Sequence, residues 1–225
     1  MAVAAAPEPQ ANMGEPAPRI DARQKVTGEA RYASDFPLAN PAYAVLVTSA
    51  IARGRLLGLD LEAAKAVPGV LDILTQDNTG ELKEVKFGGA STSIQKLGPE
   101  IAHDGQIIAM VVADTFEAAR EAAYKVKASY AAETPSASFD SPGVTAEDVT
   151  KVSERHKHMP QAGDADAALA GAEVMVEAQY GTPTQHHNPI ELFTTACAWD
   201  DGHLTVYEPS QFVYGVKNAL AKKTG

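Results

Sequence analysis

The sequence predicts an α+β fold, and three observations carry that reading. Short apolar runs rich in β-branched residues are interleaved with alanine-rich helical stretches through the first 131 residues. One of these runs, IIAMVVA at 107–113, passes directly into a capped helical segment. A stretch over 132–163, dominated by Pro, Ser, Thr and charge, then interrupts the pattern, which resumes on a smaller scale to the end of the chain. The expected organisation is a disordered arm at 1–18, a first domain with its lead-in segment at 19–131, a linker at 132–163 and the start of a second domain at 164–225.

Taken in order, MAVAAAPEPQANMGEPAP is too poor in large apolar groups to be buried, and it lacks the basic start of a secretory signal. RIDARQKVTGEARYASDF, 19–36, shows little periodicity and reads as a basic loop or a segment lying across a neighbour. AYAVLVTSA, 42–50, is a strand, and RLLGLD, 55–60, is expected to pair with it. Asp60 caps a short helix, LEAAKAV, which Pro68-Gly69 stops before the strand VLDILT, 70–75. Residues 77–99 form a Gly- and Ser-rich loop. HDGQ, 103–106, turns the chain into the 107–113 strand. Asp114 or Thr115 caps the helix FEAAREAAYKV, whose inner side is expected to hold Phe116, Ala119, Ala123 and Val126, and KVKASYA then alternates as a strand. Beyond the linker come a short helix, DADAALAGA, and a strand, EVMVEAQYG at 173–181. A hairpin about Asp201-Gly202 follows, then a helix from Ser210 with Phe212, Val216, Leu220 and Lys223 on one face. That last region shows apolar faces without covering elements, so the chain is expected to be incomplete at its C-terminus.

Composition narrows the function. A formal net charge of −10 with no basic stripe disfavours nucleic acid as a partner. No apolar run approaches the ~20 residues of a membrane span. The one cysteine, Cys197, cannot form an internal disulfide or hold an iron–sulfur cluster, and it is expected to be a buried small hydrophobe. His156 and His158, flanked by Arg155 and Lys157, read as a solvated basic patch rather than a metal pair.

The chemistry-bearing stretch is TPTQHHNPIELFTTACAWDDG, 182–202. Adjacent His186 and His187 point to opposite faces of an extended chain, so they are a poor pair of zinc ligands, and no HExxH spacing exists. No GxSxG elbow is present to support a nucleophile triad. There remains a polar lip in which Gln185 and His187 share a face and Asn188-Pro189 bends the chain before a strand at Ile190. Its competing reading is loop polarity satisfied by backbone.

Four ordered stretches resemble the N-terminal part of the molybdenum-binding subunit of the xanthine dehydrogenase/aldehyde oxidase family, in the manner of the bacterial periplasmic aldehyde oxidoreductases. They are RIDARQKVTGEARYASDF, SAIARGRLLGLDLEAAKAVPGVLDILT, HDGQIIAMVVADTFEAAREAAYKVKASY and QYGTPTQHHNPIELFTTACAWDDGHLTVYEPSQ. The resemblance covers 19–225 except the linker. It implies a hammerhead-type α/β domain followed by the first strands and helix of a molybdopterin-binding domain. It also implies a molybdenum–molybdopterin cofactor, in its cytosine dinucleotide form, with iron–sulfur clusters and FAD on partner subunits. The implied partners are the remaining molybdenum-binding polypeptide, the iron–sulfur subunit and the FAD subunit. The implied substrate is an aldehyde or an aromatic N-heterocycle.

By the same resemblance Gln185 is the cofactor-binding glutamine, its amide donating to a metal-bound oxygen, and Glu191 supports the site from behind. The family's GGGFGG loop and its catalytic glutamate have no counterpart in this sequence, so the resemblance implies an enzyme active only as part of a complex. It would be cytoplasmic, or periplasmic if exported with a partner. The alternative is a non-catalytic docking module of an oxidoreductase complex, in which Gln185 is incidental.

Overall fold

The computed structural model describes residue 14 and residues 16–79, 97–148, 151 and 162–224. The expected arm at 1–18 lies almost wholly outside the described residues, as do the middle of the 77–99 loop and the pair His156 and His158. The chain falls into two compact units, Ala42–His187 and a smaller one made of Met1–Pro41 with Asn188–Gly225.

The larger unit is built on two three-stranded antiparallel sheets. Its elements are β1 (Tyr43–Thr48), β2 (Gly54–Asp60), α2 (Glu62–Lys65), β3 (Val70–Leu74), β4 (Glu100–Ile101), β5 (Ile107–Ala113), α3 (Phe116–Lys125), β6 (Lys127–Ala132) and α4 (Ala165–Ala170); α1 (Ala22–Thr27) precedes them in the smaller unit. The strand orders are β1-β5-β3 and β4-β2-β6. The unbroken apolar run of β5 has a physical cause: both of its faces are covered. Val111 packs with Ala64, Val67, Ile73 and Ala122, so one face carries the helices α2 and α3. Ile108 packs with Leu56 and Ile101 of the second sheet.

The expected pairing of β2 with β1 is not found. β1 pairs with β5 in the register Tyr43↔Ala113, and β2 pairs with β6 and β4. β5 is apolar on both faces and long enough to take β1 and β3 together. β2 carries Arg55 and Asp60 among its apolar residues and can bury only one face, through Leu56. The two-residue strand β4 follows the expected 77–99 loop. Buried Gln106 holds that return: its Nε2 donates to the Glu100 carbonyl at 2.6 Å and its Oε1 accepts from the Ala102 amide at 2.8 Å.

Local chemistry sets the element ends. Thr115, rather than Asp114, is the N-cap of α3, its hydroxyl accepting from the Ala118 amide at 3.2 Å. The inner face of α3 is Ala119 and Ala122, and Phe116, expected inside, is exposed. Asp60 accepts from the Glu62 amide at 3.2 Å at the start of α2, and Asp164 caps α4 through the Ala167 amide at 2.9 Å. Gly69 takes φ +90°, where an added Cβ would collide with the Asp114 carboxylate, and its carbonyl accepts from the Asp114 amide at 2.9 Å.

The strand expected at 173–181 is absent: these residues are irregular and exposed. Alternation gives an apolar face, but a strand also needs a hydrogen-bonded neighbour, and none pairs with it among the described residues.

In the smaller unit α1 replaces the expected loop, closed by Gly28 at φ +77° and by an Asp21–Lys25 ion pair at 2.6 Å. The expected hairpin forms, β7 (Ala196–Asp200) with β8 (His203–Tyr207), but its first strand begins at Ala196 rather than at the expected Ile190, because 190–195 are irregular and have no strand partner among the described residues. Asp201 and Gly202 both take positive φ, +43° and +77°, as a two-residue hairpin turn of the I′ kind requires. Cys197 is exposed on β7, not buried, because the hairpin has no second layer over that face among the described residues. The last helix, α5 (Val213–Thr224), begins after Ser210, whose hydroxyl accepts from the Phe212 amide at 3.0 Å. Its inner face is Gly215 and Ala219, while Phe212 stays exposed; Lys223 lies outside the residues whose side chains are described. Hairpin and helix enclose a groove of about 520 Å³ lined by Trp199, Leu204, Val206, Val213, Val216 and Leu220. No helix among the described residues is long and apolar enough to cross a membrane.

Candidate functional site

Gln185 lies on an irregular, extended segment of the larger unit, and its side chain is exposed. His186 and His187 beside it are exposed as well. None of the three side chains has a hydrogen-bond partner among the described residues, so the Gln185 amide retains its donors and its acceptor. No group of three or more His, Cys, Asp or Glu side chains able to hold a metal ion occurs among the described residues.

Glu191 belongs to the smaller unit, and its environment can be built from its neighbours. Asn188 adopts φ +41°, a left-handed conformation that asparagine tolerates, and turns the chain ahead of Pro189. Glu191 is then half-buried, and its Oε1 accepts from the backbone N–H of Ala33 at 3.2 Å. Ala33 opens a single 3-10 turn, Ala33–Asp35. That turn is closed on itself by the Tyr32 amide donating to the Asp35 carboxylate at 2.8 Å. Three residues on, the Phe36 ring stacks on Tyr207 of β8, centroids 4.0 Å apart and planes 11° from parallel. Next to it the Thr195 hydroxyl donates to the Glu208 carboxylate.

These contacts surround a polar recess of about 260 Å³ lined by Arg31, Tyr32, Phe36, Glu191, Tyr207 and Glu208. Glu191 therefore ties two chain segments 158 residues apart in sequence. Sequence reasoning missed Phe36 and Tyr207. The available signal was the aromatic that ends RYASDF and the one that ends HLTVY, but nothing local says that they meet.

Comparison with known proteins gives this geometry its context. Residues 27–134 match the family model described as aldehyde oxidase and xanthine dehydrogenase, a/b hammerhead domain. Residues 147–225 match the model of the molybdopterin cofactor-binding domain. The chain is 39% identical over 214 residues to the aldehyde oxidoreductase molybdenum-binding subunit PaoC of Escherichia coli, covering 93% of this chain and 28% of that protein. It is 29% identical to a putative xanthine dehydrogenase molybdenum-binding subunit of Escherichia coli strain K12, over 91% of this chain and 29% of that one. Among solved structures it resembles the aldehyde oxidoreductase from Desulfovibrio gigas, with a TM-score of 0.66 and 27% identity, over 92% of this chain and 25% of that chain. The chain thus spans little more than a quarter of the length of the curated relatives it matches. With a hammerhead match over one part of the sequence and a molybdopterin-domain match over the next, the chain belongs to the aldehyde oxidase and xanthine dehydrogenase family.

Proposed function

We propose that the chain works as part of a molybdenum hydroxylase that oxidises an aldehyde or an aromatic N-heterocycle. It would contribute the hammerhead domain, 19–131 with its lead-in segment, and, after the 132–163 linker, one wall of the cofactor pocket from 164–225. The observation that carries the reading is the unpaired, exposed Gln185 amide inside a segment matched to the molybdopterin cofactor-binding domain.

The residues present fit the cofactor in kind. A metal that arrives on its own organic ligand asks the protein for hydrogen bonds rather than for a ligand cluster, and a free neutral amide can supply one. When bound, the molybdopterin group would supply oxygen transfer and the acceptance of two electrons. Gln185 would hold the group by donating from Nε2 to an oxygen on which negative charge accumulates, which is where a fixed dipole in a dry site has most effect. Glu191 would keep the 188–195 stretch in place through its bond to the Ala33 amide, acting on position rather than on protons.

The cofactor is proposed in its cytosine dinucleotide form. Iron–sulfur and FAD subunits are proposed as electron-accepting partners, and the part of the molybdenum-binding subunit that the match to the Escherichia coli relative does not cover as the source of the catalytic base. The test is purification of the assembly through a tag on this chain, followed by elemental analysis, identification of the partners by mass spectrometry, and aldehyde-dependent dye reduction. Molybdenum and activity are expected together. An assembly with partners but neither molybdenum nor activity would favour the second reading, a docking module, which the self-contained hammerhead core also suits.

A further inference from the structure

The turn at Ala33–Asp35 is closed by a reciprocal pair of bonds. The Asp35 amide donates to the Tyr32 carbonyl at 2.9 Å, and the Tyr32 amide donates to the Asp35 carboxylate at 2.8 Å. Asp35 is exposed and forms no ion pair among the described residues. The Ala33 amide opens the turn and has no partner within it, as the first N–H groups of any helical turn do not. Ala33 is 3% exposed, so little water reaches that amide. Its acceptor is the Glu191 carboxylate at 3.2 Å.

Residues 188–195, which follow Gln185 closely, are irregular and have no strand partner among the described residues, so no ladder sets their path. Side chains set it instead. Glu191 accepts from the Ala33 amide in the middle of the stretch, and Thr195 donates to Glu208 at its end. A hydrogen bond weakens steeply when its donor turns out of line. The direction of the Ala33 N–H is set by the Tyr32–Ala33 peptide plane, and Tyr32 is held extended, at φ −113° and ψ 173°, by the bond from its own amide to Asp35.

We infer that Asp35 is a positioning residue for the cofactor wall. It holds the Tyr32–Ala33 peptide so that the amide meets Glu191, and Glu191 then fixes the stretch that leads back to Gln185. A donor aimed at a developing charge is effective only when it is held in place beforehand. Asp35 itself touches neither cofactor nor substrate in this role. The inference rests on the functional reading above and extends it to a residue of the lead-in segment.

The test uses the assembly purified through a tag on the subunit that carries this sequence. Wild type is compared with Asp35→Ala, Asp35→Asn, Glu191→Ala and the double alanine variant. Two quantities are read: amide exchange at 33 and 188–195, and the rate at which molybdenum is lost after dilution into cofactor-free buffer. Asp35→Ala and Glu191→Ala should each speed both by about tenfold, as loss of a hydrogen bond to a charged group would. Asp35→Asn should stay within about twofold of wild type, because the asparagine carbonyl still accepts from the Tyr32 amide. The double variant should be no worse than the worse single one, since both act along one path. Exchange over 107–113 should be unchanged throughout.

Faster exchange with wild-type molybdenum retention in Asp35→Ala would make the turn a local closure only and overturn the inference. Unchanged exchange at 33, faster exchange over 107–113, an Asp35→Asn variant as poor as Asp35→Ala, or losses that add in the double variant would overturn it as well. A wild-type assembly that holds no molybdenum fails the functional reading, and the inference falls with it. Molybdenum held by the wild type and lost at one rate from every variant fails the inference alone.

Discussion

The sheets of the larger unit and the hairpin–helix of the smaller one treat apolar residues in opposite ways. In the first, Val111, Ala109, Ala119 and Ala122 are fully buried, and β5 is covered on both faces. In the second, Trp199, Val213 and Tyr214 are largely exposed on elements that are regular and well capped. Backbone pairing and capping are thus available to both, and what differs is a second layer. Regular elements require only local hydrogen bonds, whereas a core requires area on two sides.

The sharpest way to break the contrast is in the core. Val111→Asp places a carboxylate between the helices and the β1-β5-β3 sheet with no partner, and should cost about 4 kcal/mol or more. Thermal or urea unfolding should show cooperative loss of 42–132, with the 196–207 hairpin signals nearly unchanged. Loss of both together would show that the two units fold as one.

The next effect is on rate. In the assembled enzyme, Gln185→Ala should lower the reductive half-reaction about a hundredfold, or roughly 3 kcal/mol, the typical value of one donor to a developing negative charge. Stability should change by less than about 1 kcal/mol, because the side chain is exposed and unpaired. Gln185→Glu should be slower still, and molybdenum content should be the same in all three proteins. Wild-type rates at matched metal loading would reduce Gln185 to ordinary loop polarity.

A smaller effect probes how the smaller unit holds together without a deep core. Phe36→Ala removes the stack on Tyr207 and should cost about 1–2 kcal/mol locally, read as faster amide exchange at 33–36 and 203–207. Phe36→Tyr should restore most of it, and unchanged exchange in the alanine variant would show that the Glu191 bond alone suffices.

The smallest concerns α1. Hydrogen bonding from the Lys25 ammonium holds the Asp21 carboxyl below its ordinary value of 3.8. A carboxylate whose folded value is depressed contributes stability above its unfolded value and loses it as pH falls through the folded one. Protection of 22–27 should therefore weaken only below about pH 3.8, and Asp21→Asn should remove that dependence. As the pair is exposed, added salt should have a similar effect.

Much of the fold was legible from local chemistry. The Thr115 cap, the Asp201-Gly202 turn and the start of the 165–170 helix depend on residues within four positions of one another, and the β5 run on seven consecutive residues. The errors arose where the deciding partner is distant. Whether β2 pairs with β1 or β6, whether Cys197 is covered and whether 173–181 becomes a strand each depend on a surface elsewhere. α1 was missed because its six residues bury none of their side chains, so no apolar period marks it. Of the candidate site, Gln185 and Glu191 came from family resemblance. The Ala33 amide that Glu191 meets, and the Phe36–Tyr207 stack, lie 158 and 171 residues apart in sequence, a separation no local pattern encodes.

The Gln106 side chain has a consequence for engineering. By bonding both the Glu100 carbonyl and the Ala102 amide, it fixes where the chain rejoins the β4-β2-β6 sheet, whatever path it takes beforehand. The register of β4 on β2, Arg55↔Glu100 and Gly54↔Ile101, is thereby held from the far side of the 103–106 turn. Losing the Gln106 amide would leave two backbone groups without that partner, so Gln106 is the residue to leave untouched in any variant that exchanges the sequence ahead of Leu97.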